Sequence, residues 1–241
     1  MRTTRDPNSP WGHRLWFADH EFDEIMDEAR LRARSSLITE GAGVDLDALL
    51  ERVYQVVPDY VDLPDEVLGK TLFHPDGRCQ VFIRRELADA GEFDHGARHR
   101  LRSTLAHECA HIIIHGHLHL VDLATPSLFG DPPPETPKVL CRMGVVGSFR
   151  GYDGKWWEYQ ANRGMASLLL PKRETMDWLR SALEKRQVAT LSEALGIGVG
   201  QEIIRDLRRT FDVSMDVTVY RLQELGSLPT NPDQAELEMK P

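Results

Sequence analysis

The sequence of 241 residues has few cysteines and no long apolar run. Its three cysteines, Cys79, Cys109 and Cys141, are an odd number without metal-site spacing, so they fit a reducing compartment and are interpreted as structural. The longest apolar runs, such as 165–170, are too short to cross a bilayer. The first twenty residues also lack the apolar core of a secretory signal. These absences predict a cytoplasmic protein with no membrane partner.

Acidic residues outnumber basic residues, 38 to 29. The formal net charge is −9 and the isoelectric point is near 5.6, which argues against a protein that coats nucleic acid or an anionic membrane, since both need a basic surface. Hydrophobic residues make up 41% and charged residues 28%, far from the composition of a disordered chain. The sequence therefore predicts a globular protein with room for one domain and an appendage.

Apolar periodicity in the first half of the chain predicts helices followed by strands. Helical spacing occurs over 18–37 and 45–57. The period then changes, and 68–73 and 79–84 flank the turn sequence HPDG, which predicts a β-hairpin.

Helical periodicity returns in the second half. A helix is expected over 96–115, ending near Gly116, followed by a connection at 116–154 without a sustained period. That connection would serve as a lid or substrate clamp, or be a mobile insertion. Pro171 ends a helix that starts at 155. Further helices are expected at 174–186, at 201–211 and, with Ser214 as N-cap and Gly226 as terminator, at 215–225.

The segment HECAHIIIHGHLH (107–119) predicts a metal site. His107 and His111 are four residues apart, so on a helix both can direct a ring nitrogen at one ion. Glu108 would point beside the ion, where its carboxylate can take a proton from water and pass it to a leaving amine. Zinc would lower the pKa of that water to roughly 7 and polarise the scissile carbonyl.

A catalytic zinc needs a third protein ligand. His117 follows His111 by six residues, but no glycine stands at 114 to turn the chain. His115 is eight residues from His107, about 80° further round the helix, which favours a capping or surface position. His119 would line the cleft or have no role. Glu158 is near the start of a predicted helix, and Asn162 is four residues later on the same face. We favour Glu158 as the third ligand, with Asn162 as a hydrogen-bonding partner of the ligands, over the alternative that Glu158 is only a favourable charge near a helix N-terminus.

The segments HECAHIIIH and WEYQANRGMASLLLP together resemble the ImmA/IrrE family of metallopeptidases, over about 45–171. The resemblance implies zinc ligands His107, His111 and Glu158, with Glu108 as the base. It implies an α+β fold with a zincin-like core, in which N-terminal helices and a small sheet precede the active-site helix and the third-ligand helix. It also implies a protein substrate, a helix-turn-helix repressor, whose cleavage would derepress stress-response or mobile-element genes.

Residues beside these motifs have further candidate roles. Tyr159 would donate a hydrogen bond to the oxyanion if its ring faces the cleft, and His115 is a second candidate for a cleft position. The segment 204–226 resembles a helix-turn-helix, but Arg221 is the one basic residue of its second helix, which disfavours DNA binding. A docking or structural role is favoured for this segment. The alternative functions for the protein are a DNA- or protein-binding regulator with a structural metal site, and a toxin or defence component controlled by a partner.

These observations predict four parts of the chain. They are a disordered start at 1–14, a metallopeptidase domain at 15–172, a small all-helical domain at 173–226 and a flexible tail at 227–241. One zinc ion, or another divalent metal, is expected in each chain.

Overall fold

The computed structural model describes residues 2–33, 38–39, 43–74, 76–124, 138–143 and 155–229. It is a mixed α+β structure, as the sequence predicts. Within these ranges, every helix is too short or too polar to cross a membrane. The predicted tail lies outside the described residues beyond position 229.

The chain begins with a β-hairpin. Strands β1 (Arg2–Arg5) and β2 (His13–Trp16) pair antiparallel, and the side chains of Trp11 and Leu15 are buried. The expectation of a disordered start at 1–14 is therefore wrong for 2–14. The hairpin has no clear sequence pattern, because the segment contains two prolines and its strands are short and polar. Its stability comes from burial of Trp11 and Leu15 against distant parts of the chain.

The two predicted N-terminal helices are confirmed. Helix α1 (Asp19–Arg32) starts where the Ala18 amide donates to the Glu21 carboxylate, and it ends before 34–37, which lie outside the described residues. After the short strands β3 (Ile38–Thr39) and β4 (Gly43–Val44), helix α2 (Leu46–Leu49) continues as a π-helical segment (Leu50–Tyr54). The left-handed residue Gln55 ends it.

A four-stranded sheet follows. Its strands are β5 (Asp59–Val61), β6 (Val67–Phe73), β7 (Cys79–Arg84) and β8 (Lys138–Met143), in the order β5-β7-β6-β8. The β6–β7 hairpin is confirmed, with antiparallel register Phe73↔Cys79. Strand β8 was not predicted; it adds antiparallel to β6 with a bulge between Val67 and Gly69.

After α3 (Arg85–Gly91), helix α4 (His95–Ala124) carries the HECAH segment and continues well past Gly116. The expected helix end near Gly116 is wrong. A glycine inside a helix costs only about 1 kcal/mol, and tertiary packing holds the helix, with Leu118 buried one turn beyond His115. The expected connection at 116–154 thus contains part of α4 and all of β8, while 125–137 and 144–154 lie outside the described residues.

Five further helices follow in the described residues, and all but one of them match the prediction closely. They are α5 (Trp156–Leu169), α6 (Lys172–Lys185), α7 (Leu191–Gly196), α8 (Gly200–Phe211) and α9 (Met215–Glu224). Pro171 separates α5 from α6, and the Ser214 hydroxyl accepts a hydrogen bond from the Val217 amide at the start of α9. Helix α7 was not predicted.

Helix α4 lies between the sheet and α5, so the HECAH segment is in the centre of the core. Buried ion pairs join α9 to the earlier helices: Arg221 contacts Asp23 of α1, and Arg163 of α5 contacts Glu224. These contacts cross position 172, where the sequence predicts a boundary between two domains. That boundary stays a prediction.

Candidate metal centre

Three side chains converge between α4 and α5. His107 Nε2 is 3.0 Å from Glu158 Oε2, and His111 Nε2 is 3.6 Å from the same oxygen. One ligand atom from each of the three residues lies within 4.8 Å of the other two. Both histidines are fully buried, and Glu158 is largely covered.

The close approach of α4 and α5 depends on small residues. A Cβ atom on Gly164 of α5 would lie 2.8 Å from the Ala110 Cβ of α4 and 2.8 Å from the Met26 Cε of α1. Ala110 lies between the two histidines in sequence, so the tight crossing occurs beside the site. The spacing of the helices there sets the distance between the histidines and Glu158.

Asn162 orients His107. Its side-chain Oδ1 is 3.0 Å from His107 Nδ1, and because an amide oxygen only accepts, Nδ1 is the donor. The other nitrogen, Nε2, faces Glu158 and is the nitrogen available to a cation. The structure therefore brings Asn162 to the position expected from the sequence.

His115 lies inside the protein. It is fully buried against the rings of Trp11 and Trp156, at centroid distances of 5.3 and 5.6 Å, and its Nδ1 is 3.1 Å from His111 Nδ1. The expected capping or surface position is wrong. The rotation of about 80° from His107 is correct, but His115 stacks one turn above His111.

Glu108 is fully buried under the sheet. Its Oε2 accepts a hydrogen bond of 2.7 Å from the Thr71 hydroxyl of β6. A Cβ atom on Gly69, also on β6, would lie 2.8 Å from Glu108 Oε1 and 2.7 Å from Thr104 Cγ2. No role for Gly69 or Thr71 was predicted from the sequence, although a glycine within a predicted strand often marks a place where another group approaches the backbone closely.

Glu158 is held in its charged form. Burial alone would raise its pKa, but the neighbouring His111 and His107 lower the pKa well below its ordinary range. By contrast, burial and the adjacent His111 lower the pKa of His115 well below 6.5, so its ring is neutral at neutral pH. The site thus offers one carboxylate and two imidazoles, which are donors that zinc prefers.

The remaining candidates lie elsewhere or cannot be placed. Tyr159 follows Glu158 by one residue and lies on the side of α5 that carries Arg163, whose guanidinium carbon is 6.0 Å from its ring centre. Its oxyanion role stays a prediction. His117 is half-buried in α4, and the side chain of His119 lies outside the described residues.

The residues present fit a metal. His111 Nε2 is buried and has no hydrogen-bond partner among the residues that the structure describes. A buried polar nitrogen without a partner is costly, and a cation bound by His107, His111 and Glu158 would satisfy it.

Comparison with known proteins adds no assignment. The sequence matches no protein-family model, and no curated protein matches it either.

Proposed function

We propose that the protein is a cytoplasmic zinc-dependent endopeptidase. His107, His111 and Glu158 would hold the ion, and Glu108 would act as general base. The observation that carries the proposal is the approach of three ligand atoms to within 4.8 Å, with the buried Glu108 carboxylate on the next residue after the first ligand. A bound zinc ion lowers the pKa of water and polarises a carbonyl.

The protein's own groups supply the proton transfers. The Glu108 carboxylate would accept a proton from the attacking water and deliver it to the leaving amine, forming a new amino terminus. Thr71 donates to Glu108 Oε2 and so fixes the carboxylate's orientation. A structural metal site has no use for a carboxylate in this position, which favours the peptidase over a regulator with a structural metal.

The proposed substrate is a helix-turn-helix repressor. This proposal and the zincin-like core rest on the resemblance of HECAHIIIH and WEYQANRGMASLLLP to the ImmA/IrrE family. Direct DNA binding by α9 is disfavoured because Arg221 is buried: its guanidinium donates to Asp23 and to the Leu170 carbonyl oxygen. A side chain held in this way is not available to a phosphate. A toxin or defence role would use the same chemistry.

The first test separates metal binding from catalysis. Glu108→Gln should retain one zinc per chain and lose cleavage, while Glu158→Gln should lose zinc and cleavage together. Zinc is measured by metal analysis of purified protein. Cleavage is measured by comparing new protein N-termini in cells that express each variant, before and after DNA damage.

A cut made only by the wild type, in a helix-turn-helix regulator, is the expected result. Wild-type protein that binds no zinc, or Glu108→Gln protein that still cuts, would contradict the proposal. Growth arrest on expression that Glu108→Gln abolishes would favour the toxin role.

A further inference from the structure

A chain of hydrogen bonds runs from the N-terminal hairpin to a proposed metal ligand. The Gln160 amide nitrogen donates to the Leu15 carbonyl oxygen at 2.7 Å, and Gln160 Oε1 is 3.1 Å from His115 Nε2. His115 Nδ1 is in turn 3.1 Å from His111 Nδ1. The first and third residues of this chain are fully buried on strand β2 and helix α4.

The backbone carbonyl of Leu15 fixes the direction of every proton in the chain. A carbonyl oxygen only accepts, so the Gln160 amide group must face it and Gln160 Oε1 must face His115. That oxygen also only accepts, which makes His115 Nε2 a donor. A neutral His115 then has its lone pair on Nδ1, and His111 Nδ1 must carry the proton that lies between the two rings.

The reverse arrangement is unfavourable at both ends. Turning the Gln160 side chain over would place its oxygen against the Leu15 carbonyl oxygen, so two acceptors would meet in a buried place. It would also let His115 donate to His111 Nδ1. The proton of a neutral His111 would then sit on Nε2, the nitrogen that faces Glu158, and would block a cation there.

We propose that His115 is a positioning residue that holds His111 as its Nδ1–H tautomer and so aims the Nε2 lone pair at the metal position. This inference rests on the proposed metal centre. Asn162 serves His107 in the same way from α5. The Trp11 and Trp156 rings pack against the His115 imidazole and against each other, which restricts rotation of the imidazole.

The test compares two histidine substitutions on the same helix. His115→Leu removes the acceptor for His111, whereas the control His117→Leu removes a half-buried histidine two residues further on. The zinc dissociation constant is measured by competition with a chromophoric chelator, and the ligand field by the absorption spectrum of the cobalt-substituted protein. Loss of such an orienting partner weakens metal binding about 10–100-fold.

We expect that weakening and an altered cobalt spectrum for His115→Leu, with the values of His117→Leu unchanged. His115→Asn should recover most of the affinity, because its Oδ1 can take the place of the lost Nδ1 as acceptor. Equal zinc affinity in His115→Leu and wild type would overturn the inference. So would equal losses in His115→Leu and His115→Asn, since packing alone would then explain both.

Two further measurements keep the result interpretable. If His115→Leu fails to fold in the presence of chelator, Gln160→Met is tested instead. Without the Gln160 amide, His115 can present either a protonated or an unprotonated nitrogen to His111, so His111 is no longer held in one tautomer. Unchanged zinc affinity in Gln160→Met would overturn the inference. Wild-type protein without measurable zinc or cobalt binding would overturn the proposed metal centre itself, a result distinct from the failure of His115 alone.

Discussion

The Glu108 carboxylate lies directly against the backbone of strand β6. The space exists because Gly69 has no side chain, and the bulge in the pairing of β6 with β8 lies at the same residue. Bulges are common beside active sites because they redirect a strand locally. At the scale of single residues, the position of the proposed base therefore depends as much on an absent side chain as on the hydrogen bond from Thr71.

Gly69→Ala should impair catalysis more than metal binding. The new methyl group would displace the Glu108 carboxylate, which it would meet at 2.8 Å, whereas neither His107 nor His111 is among the nearest neighbours of that methyl group. We expect cleavage to fall by about a hundredfold, as a misplacement of about 1 Å can cause, with one zinc per chain retained. The measurements are rate of substrate cleavage and zinc content.

Gly116→Ala is the matched control. Gly116 lies in the middle of α4, and among the described residues a Cβ atom there would meet only Phe73 Cε1, at an ordinary 3.8 Å. This variant should be more stable by about 0.5–1 kcal/mol and fully active. Equal activity of Gly69→Ala and Gly116→Ala would show that Glu108 tolerates displacement.

Sequence spacing predicted the parts of the site that lie within one helix. The interval of four residues relates His107 to His111 and Glu158 to Asn162, and a helix makes such pairs neighbours whatever surrounds it. Gly69, Thr71 and the Leu15 carbonyl were not predictable in this way. They reach the site through the packing of separate elements, and no local pattern in the sequence specifies that packing.

At the scale of elements, strong apolar periodicity predicts helices correctly, whereas weaker signals such as a single glycine predict helix ends wrongly. Helix α5 has an apolar face and a proline stop, and its predicted bounds match the structure closely. The predicted end of helix α4 at Gly116 is too early. A glycine commonly terminates a helix, but within a packed helix it has only a small energetic cost. The hairpin of β1 and β2 went unseen, since its strands have four residues each and polar surfaces.

Helix α9 is predicted to be an integral part of the fold. Arg221 is buried with Asp23 and Glu224, so Arg221→Met would leave buried carboxylates with fewer partners. Breaking a buried ion pair in this way costs about 3–5 kcal/mol. The free energy of unfolding in urea measures the loss.

Arg209→Met on α8 is the control for that experiment. The Arg209 side chain is 72% exposed and its partner Asp206 is also near solvent, so we expect a change within about 0.5 kcal/mol. If Arg221→Met were no less stable than Arg209→Met, α9 would have to be a loosely attached module, and DNA binding through it would regain support.

At the scale of the whole molecule, a second cluster fastens the C-terminal helices to the start of α4. Asp212, between α8 and α9, contacts Arg98, Arg102 and His99. Burial would raise the pKa of Asp212, but the hydrogen bond from Arg98 and the charge of Arg102 lower it below 3.8. A lowered folded-state pKa means that stability is present above the ordinary value and is lost as the pH falls through the folded value.

Asp212→Asn should therefore lower stability at neutral pH and reduce its acid dependence. We expect the free energy of unfolding to fall by about 1–3 kcal/mol at pH 7, the range for a charge-assisted hydrogen bond. The difference from wild type should shrink between pH 4 and the acid limit of folding. Unfolding in urea at a series of pH values measures this, and a difference that stays constant to the lowest pH would contradict it.

Removal of metal should destabilise the entire chain, because α4 and α5 are both central to the core. Zinc at about 100 times its dissociation constant adds about 2.7 kcal/mol to the folded state. For a protein of this size, chelation should lower the melting temperature by about 5–10 °C. His111→Leu should melt at the same temperature with and without chelator, and a similar chelator response in both proteins would rule out binding at His111.

The contact between Gln160 and Leu15 joins positions 145 residues apart in the chain. The ribosome makes the hairpin carbonyl early, whereas Gln160 and Asn162 follow only after the whole sheet and α4 have been synthesised. A chain translated only as far as α4 therefore lacks the groups that orient both histidines, and the proposed metal centre cannot form before α5 has been made. Truncated translation products ending before 158 should be harmless to the cell's other proteins, since they contain HECAH but neither Glu158 nor Asn162.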